Sequence, residues 1–126
     1  MKDAAPAYVK QNVQDEVLVL TPQIDQLRDS DVCYSIRDEM TAAVTDTVPQ
    51  RVVIDMRNVN FVSSIGILAF LNLRRAIPPT GQRIVFCNLS PQLHGMFRLC
   101  RLISDNPEDS SPFAAVETLE SALSPA

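Results

Sequence analysis

The sequence predicts an α/β domain in which an N-terminal hairpin leads into a mostly parallel mixed sheet of about four or five strands with about four helices. Two observations predict it. Apolar β-branched runs alternate along the chain with segments whose apolar residues recur at helical spacing, a pattern typical of strands joined by right-handed crossovers. In addition, residues 51–56 are too apolar for a half-exposed strand, which indicates a central strand buried on both faces.

The first part of the chain predicts the hairpin and then a helix. Residues 7–12 alternate weakly and residues 17–20 form a short apolar run, with Pro22 ending the second strand. Residues 31–46 predict an amphipathic helix with Ser30 or Asp31 as its cap. Its expected buried face consists of Val32, Ile36, Met40, Ala43 and Val44.

The strand at residues 51–56 places Asp55 near its exit. After the following loop, Ser63 and Ser64 precede residues 65–73, whose apolar density predicts a largely buried helix that ends at Pro78-Pro79. Both serines are therefore expected at the N-terminus of this helix.

In the last part of the chain, predicted strands again alternate with predicted helices. Gly81 is expected to turn into a buried strand at residues 83–87, and Ser90-Pro91 predicts the N-cap and first residue of a helix through about Cys100. A loop at 106–112, an edge strand at 113–116 and a short helix at 117–123 are predicted to complete the sheet and its cover.

Composition limits what such a domain can do. With 126 residues, 46% of them hydrophobic, we expect one domain over residues 1–126 with an ordered core at about 8–123. The net charge of -4 argues against nucleic acid or anionic membrane surfaces as partners. Since the sequence shows neither an apolar run of about 20 residues nor a secretory signal, we expect a cytoplasmic protein with no membrane insertion.

Few residues are available for cofactor chemistry. The chain has three cysteines and one histidine, without CxxC spacing, which argues against a disulfide framework and a metal site. Three scattered glycines exclude the GxGxxG and GxxxxGKS loops that bind nucleotides. We therefore predict no cofactor and no metal.

The pair Ser63-Ser64 is the first candidate for a functional site. Functional groups of open α/β sheets gather where strands end and helices begin. The free N–H groups and partial positive charge of a helix N-terminus stabilise a phosphoryl group, which adds about -1.5 to -2 charges. Beside Phe61, Val62, Ile65 and Ile67, such a group would switch off a docking surface. The alternative is that one serine merely caps the helix.

The sequence gives little support to a catalytic function. A receiver-type phospho-acceptor needs clustered acidic residues and a lysine, but Asp55 has no acidic neighbour and the lysines are Lys2 and Lys10. His94 as a base for a serine would lie on a different helix without an orienting partner, so that a surface or half-buried histidine is expected. We predict that the protein is not an enzyme.

The other reactive or charged residues have ordinary explanations. Cys87, on a strand, and Cys100, on a helix, are expected to be buried and inert. The arginines of the later helices form either a basic patch or solvated helix faces; they are Arg74, Arg75, Arg98 and Arg101.

A family resemblance rests on particular segments. The strand Val-Val-Ile-Asp-Met (52–56), the run Val-Asn-Phe-Val-Ser-Ser-Ile-Gly-Ile (59–67), Gly81, Phe-Cys-Asn-Leu-Ser-Pro (86–91) and Leu-Cys-Arg-Leu (99–102) follow the opening hairpin. Together they resemble the STAS domain of anti-sigma factor antagonists. The likeness spans nearly the whole chain and is loosest before Val13 and after Ser104.

The resemblance implies a domain that binds and performs no chemistry. In that family a serine kinase that is also an anti-sigma factor phosphorylates a serine at the start of this helix, and a phosphatase reverses the mark. The family's Asp-Ser-Ser-Gly pattern puts Ser64 at the phospho-acceptor, with Ser63 as second choice. The implied partner-binding residues are Asp55, Asn60, Phe61, Val62, Ser63, Ser64, Ile65, Gly66 and Ile67. Oligomeric state stays open.

Departures from the family pattern leave an alternative. Ser63 replaces the aspartate and Ile65 the second serine, while Pro22 and Arg101 stand where many relatives have glycine. Asp55 matches the family's strand-end acidic residue, which is expected to organise the loops around the acceptor or to touch the partner. The alternative is a STAS scaffold without phospho-control, in a signalling or transport complex. A weaker one is a small hydrolase that uses Ser64.

Overall fold

The computed structural model describes residues 8–77, 84–103 and 112–123. In chain order the elements are β1 (Val9–Gln14), β2 (Val17–Pro22), β3 (Gln26–Leu27), α1 (Ser30–Thr47), β4 (Arg51–Asp55), β5 (Phe61–Val62), α2 (Ser64–Ala76), β6 (Ile84–Cys87), α3 (Pro91–Leu99), β7 (Phe113–Val116) and α4 (Leu119–Leu123). The predicted α/β class is confirmed, since the described residues form four helices and a mixed sheet of five strands.

The main sheet has the strand order β1-β2-β4-β6-β7. Only β1 and β2 pair antiparallel, and the turn between them places Asp15 and Glu16 at φ 51° and 68°, as a tight two-residue hairpin requires. The pairs β2-β4, β4-β6 and β6-β7 are parallel. The hairpin, the central strand β4 and the edge strand β7 are therefore confirmed.

Most of the core lies between the sheet and helices α1, α2 and α3. Phe86 on β6 is its centre, with ring centroids 5.2, 5.1 and 5.0 Å from those of Phe70, Phe97 and Phe113. The other face of the sheet carries a smaller apolar cluster, packed against α4, that includes Val19, Val53 and Cys87. The two faces of each strand are thus unequally covered, and the larger core supports α2.

Two expectations about the helices were wrong. The N-cap of α1 is Asp29, whose side chain makes no capping hydrogen bond, and neither Ser30 nor Asp31 takes that place. Cys100, which was expected to be buried, is the C-cap of α3 and is exposed. The largely buried helix predicted at residues 65–73 is confirmed, since within these nine residues Leu68 alone is exposed, at 50%.

Several predicted features lie outside the described residues. They are Pro78, Pro79, Gly81 and the loop at 106–112, of which only Pro112 is described. Among residues 8–77, 84–103 and 112–123, no helix has both the length and the apolar character that crossing a membrane requires.

Candidate functional site

A second, two-stranded sheet positions the start of α2. Strands β3 and β5 pair in parallel, with Gln26 opposite Phe61 and Leu27 opposite Val62. The ladder continues past both strands, since the Ser63 amide donates to the Leu27 carbonyl at 2.8 Å. Because β3 leads into α1 and β5 leads into α2, this sheet fixes the first turns of both helices side by side.

Gly66 allows α2 to approach β3 closely. A Cβ atom at this position would lie 2.7 Å from Val62 Cγ1 and 3.1 Å from both the Cβ atom and the carbonyl oxygen of Leu27. Real Cβ atoms essentially never show a contact as short as 2.7 Å, and contacts of 3.1 Å are unusually tight. Glycine at this point therefore serves close packing of the helix against the small sheet.

Ser63 is the N-cap of α2. Its Oγ accepts a hydrogen bond from the Gly66 amide at 3.3 Å and donates one to the Arg28 carbonyl at 3.4 Å. Burial raises the pKa of the neighbouring Cys33 thiol, and a hydrogen bond with the Ser63 hydroxyl offsets part of that rise. The hydroxyl of Ser63 is thus engaged on several sides.

Ser64 is the first residue of α2 and is exposed. Within the described part of the chain, the structure gives its hydroxyl no hydrogen-bond partner. Leu68 lies one helical turn further on the same side of α2, and Phe61 on β5 is 38% exposed. The Arg28 guanidinium carbon lies 4.4 Å from the centroid of the Phe61 ring. An exposed hydroxyl, two exposed apolar side chains and one cation therefore occur together around the start of α2.

Asp55, at the end of β4, lies apart from the two serines. It is 1% exposed and accepts hydrogen bonds from the Arg57 amide and guanidinium and from Asn88 Nδ2, at 3.1, 2.9 and 2.9 Å. An ion pair of 2.8 Å completes its contact with Arg57. Its side chain shares a groove with Val19 on the sheet face opposite α2. Asp55 therefore anchors the start of the loop that leads to β5.

The nine predicted partner-binding residues divide by exposure. Asn60, Phe61 and Ser64 are exposed, Ser63, Ile65 and Ile67 are half-buried, and Asp55, Val62 and Gly66 are buried. The binding role of the whole set stays a prediction. A surface made from it would consist of the first two groups, with the buried residues holding them in place.

The remaining candidates lie apart. His94 is half-buried on α3, and the described residues include no hydrogen bond between its side chain and either serine. Cys87 is buried on β6, as expected. Four arginines are exposed on α2 and α3 or just after α3, which fits solvated helix faces; they are Arg74, Arg75, Arg98 and Arg101.

Sequence reasoning missed three residues near Ser64. Leu68 could have been found, because it follows Ser64 by four residues on a helix. Arg28 and Cys33 reach the site only through the β3-β5 pairing and the packing of α1 against α2. Two-residue strands leave no periodic signal, so that nothing in the sequence joined these residues to the serines.

Comparisons with known proteins agree with this architecture. The family model for the STAS domain matches residues 8–120. A protein of Bordetella bronchiseptica that carries the name anti-sigma factor antagonist BtrV is 28% identical over 82 residues, 65% of this chain and 71% of its own length.

Solved structures share the fold. An anti-sigma-factor antagonist (STAS) domain protein from Planctomyces limnophilus superposes with a TM-score of 0.74 at 21% identity, covering 94% of this chain and 96% of that one. Unphosphorylated SpoIIAA gives 0.62 at 18% identity, covering 90% and 93%. Phosphorylated SpoIIAA of Bacillus gives 0.62 at 19%, covering 90% and 95%. Since the family model spans most of the chain and these folds coincide, the protein belongs to the STAS domain family.

Proposed function

We propose that this protein is an anti-sigma factor antagonist in a partner-switching pathway of the cytoplasm. In its unmodified form it binds a serine-kinase anti-sigma factor and thereby frees a sigma factor. The kinase transfers the γ-phosphoryl group of ATP to Ser64 Oγ, releasing ADP and the hydroxyl proton, and the modified protein lets go. A serine phosphatase restores the first form. In this proposal residues 1–126 form a single domain that acts as the switch.

The observation that carries the proposal is the division of labour between the two serines. Ser63 uses its hydroxyl to cap α2, whereas the hydroxyl of Ser64 is exposed and has no partner among the described residues. A kinase needs an accessible hydroxyl that can be modified without breaking the helix. Ser64 meets both conditions, whereas Ser63 is half-buried and its hydroxyl holds the helix cap.

The surroundings of Ser64 suit a charge-controlled docking surface. Phe61 and Leu68 are 38% and 50% exposed, and apolar side chains of this kind stabilise a complex by leaving water. A phosphoryl group adds about -1.5 to -2 charges, which resist desolvation when a partner covers them. Phosphorylation would therefore weaken a complex formed over this patch.

The relatives support the same mechanism by analogy. SpoIIAA is an anti-sigma factor antagonist solved in an unphosphorylated and a phosphorylated form, and BtrV carries the antagonist name. A shared fold does not fix a function by itself. For this chain, the accessible hydroxyl of Ser64, in a domain of the same family, is what supports the proposal.

The direct test is phosphorylation by a serine kinase of the anti-sigma type encoded beside this protein's gene. After incubation with ATP, we expect mass spectrometry to find one phosphoryl group, on Ser64. Ser64→Ala should abolish the modification, while Ser63→Ala, the matched control, should keep it. Modification at Ser63 alone, or none in the presence of an active kinase that binds the protein, would contradict the proposal.

Co-purification from the native cell tests the alternative of a scaffold without phospho-control, which the replacement of the family aspartate by Ser63 favours. A sigma-regulating kinase among the captured proteins would support the switch. Transport subunits, or a large complex of several STAS proteins that is indifferent to Ser64→Glu, would support the scaffold.

A further inference from the structure

Arg28 is the cation beside the proposed modification site. It directly follows β3, and its carbonyl oxygen accepts from Ser63 Oγ at 3.4 Å. Ser64 is the next residue after the one that makes this contact. Neither segment 25–31 nor segment 60–67 contains another lysine or arginine. Any anion placed on Ser64 therefore finds Arg28 as its nearest cation within these segments.

Among the described residues, the side-chain contacts of the Arg28 guanidinium are with neutral groups. Its carbon lies 4.4 Å from the centroid of the Phe61 ring, and Nε donates to Gln26 Oε1 at 3.1 Å. Ion pairs between described residues join Arg37 to Asp38 and Arg57 to Asp55, and neither involves Arg28. Exposed cation-π contacts are weak. The charge of Arg28 is thus available to a stronger partner at small cost.

We infer that a phosphoryl group on Ser64 draws the guanidinium of Arg28 away from the Phe61 ring, which makes Arg28 the residue that converts modification into a changed docking surface. The inference rests on the proposed function, because it takes Ser64 as the modified residue. Charge-assisted hydrogen bonds from arginine to phosphate are roughly twice as strong as neutral ones and often bidentate. The neutral contacts with Phe61 and Gln26 lose this competition.

The mechanism has two consequences for the surface. Without the phosphoryl group, a partner meets Phe61 with a cation lying over its face. With it, the cation moves to Ser64 and the ring loses its cover. The modification therefore alters both the charge and the arrangement of the apolar patch, and Arg28 acts as a positioning residue for that change.

The test installs phosphoserine at position 64 during synthesis, so that it needs no kinase. A ³¹P NMR titration then measures the second pKa of the phosphate. A nearby guanidinium favours the dianion, and we expect that pKa to rise by about half a unit in Arg28→Ala. Arg28→Lys should restore part of the difference. Arg28→Gln, which keeps the bulk without the charge, should behave like Arg28→Ala and serves if the alanine variant folds poorly.

Arg37→Ala is the matched control. Arg37 also stacks on an exposed aromatic ring, that of Tyr34 at 5.1 Å, but it lies on α1 and pairs with Asp38. We expect it to leave the phosphate pKa unchanged. The ring signals of Phe61 should shift on phosphorylation in the unsubstituted protein and shift less in Arg28→Ala, where no guanidinium leaves the ring.

An equal phosphate pKa with and without the Arg28 charge, or the same change in Arg37→Ala, would overturn the inference. The proposed function fails by a different result, namely equal binding of the kinase by the phosphorylated and unmodified proteins. The NMR titration does not involve the kinase. Each idea can therefore fail while the other stands.

Discussion

At the scale of single residues, the two glycines of the described segments have opposite surroundings. An added Cβ at Gly66 would lie 2.7 Å from Val62 Cγ1 and 3.1 Å from the Leu27 carbonyl oxygen, whereas at Gly95, in the middle of α3, nothing lies within 4 Å. We predict that Gly66→Ala lowers the free energy of unfolding by about 1 to 3 kcal/mol because the small sheet must shift.

Gly95→Ala is the matched control for that substitution. Alanine in an exposed helix interior is favoured over glycine by about 0.5 to 1 kcal/mol, so that this variant should be more stable than the natural chain. Urea denaturation of both variants measures the difference. A Gly66→Ala protein as stable as Gly95→Ala would show that α2 does not depend on this close approach.

The thiol of Cys87 makes stability depend on pH. Burial, with the neighbouring carboxylate of Asp55, raises its pKa from 9.0 to about 12. In the unfolded chain the thiol loses its proton near its ordinary pKa, while in the folded chain it keeps it. The unfolded state is therefore favoured as the pH rises from about 9 towards 12, and the free energy of unfolding falls.

Denaturation at pH 7.5 and at about pH 10 checks this prediction. The loss of stability between the two should be smaller in Cys87→Ala than in the natural chain. Cys100→Ser is the control, because Cys100 is exposed. It should lose as much stability as the natural chain does, and an undiminished loss in Cys87→Ala would refute the assignment.

At the scale of elements, the start of α2 separates the roles of two adjacent serines. Ser63 caps the helix through the Gly66 amide, and replacing a serine cap by alanine costs about 1 kcal/mol. Ser64→Ala, at an exposed first position, should change the free energy of unfolding by less than about 0.5 kcal/mol. Thermal unfolding of the two variants measures this, and similar losses in both would mean that the cap is shared.

Some helices and strands could be predicted from the sequence and others could not. The strand β4 was evident from its unbroken apolar run, and α3 from Ser90 and Pro91, since each signal lies within a few residues. The pairing of β3 with β5 was not evident, because two-residue strands have no period and their partners are far apart in the chain. The arrangement of Arg28 over Phe61 depends on that pairing.

Predictions from residue type also failed at helix ends, where the course of the backbone decides which residue is the cap. The N-cap of α1 is Asp29 although Ser30 and Asp31 are equally good capping types, so that composition alone could not choose among them. Cys100 is the C-cap of α3 and is exposed, although it was expected to be buried. In both cases the sequence placed the residue near a helix end without fixing its role there.

At the scale of the whole molecule, the sheet separates two functions. The face beneath α1, α2 and α3 holds the larger core, and through α2 it supports the exposed start of that helix. The opposite face carries the buried Asp55, which fixes the loop that runs towards β5. Contacts on both faces of the sheet thus support the segment that leaves Ser64 exposed. The proposed switch therefore needs no large rearrangement of the sheet.

The most direct test of the central claim is the affinity of the anti-sigma factor kinase for this protein with and without phosphoserine at position 64, by isothermal titration calorimetry. The account predicts a loss of at least about tenfold, equal to about 1.4 kcal/mol, on phosphorylation. Phosphoserine at position 63, in the same assay, tests whether the position matters. Unchanged affinity for the protein modified at position 64 would contradict the account.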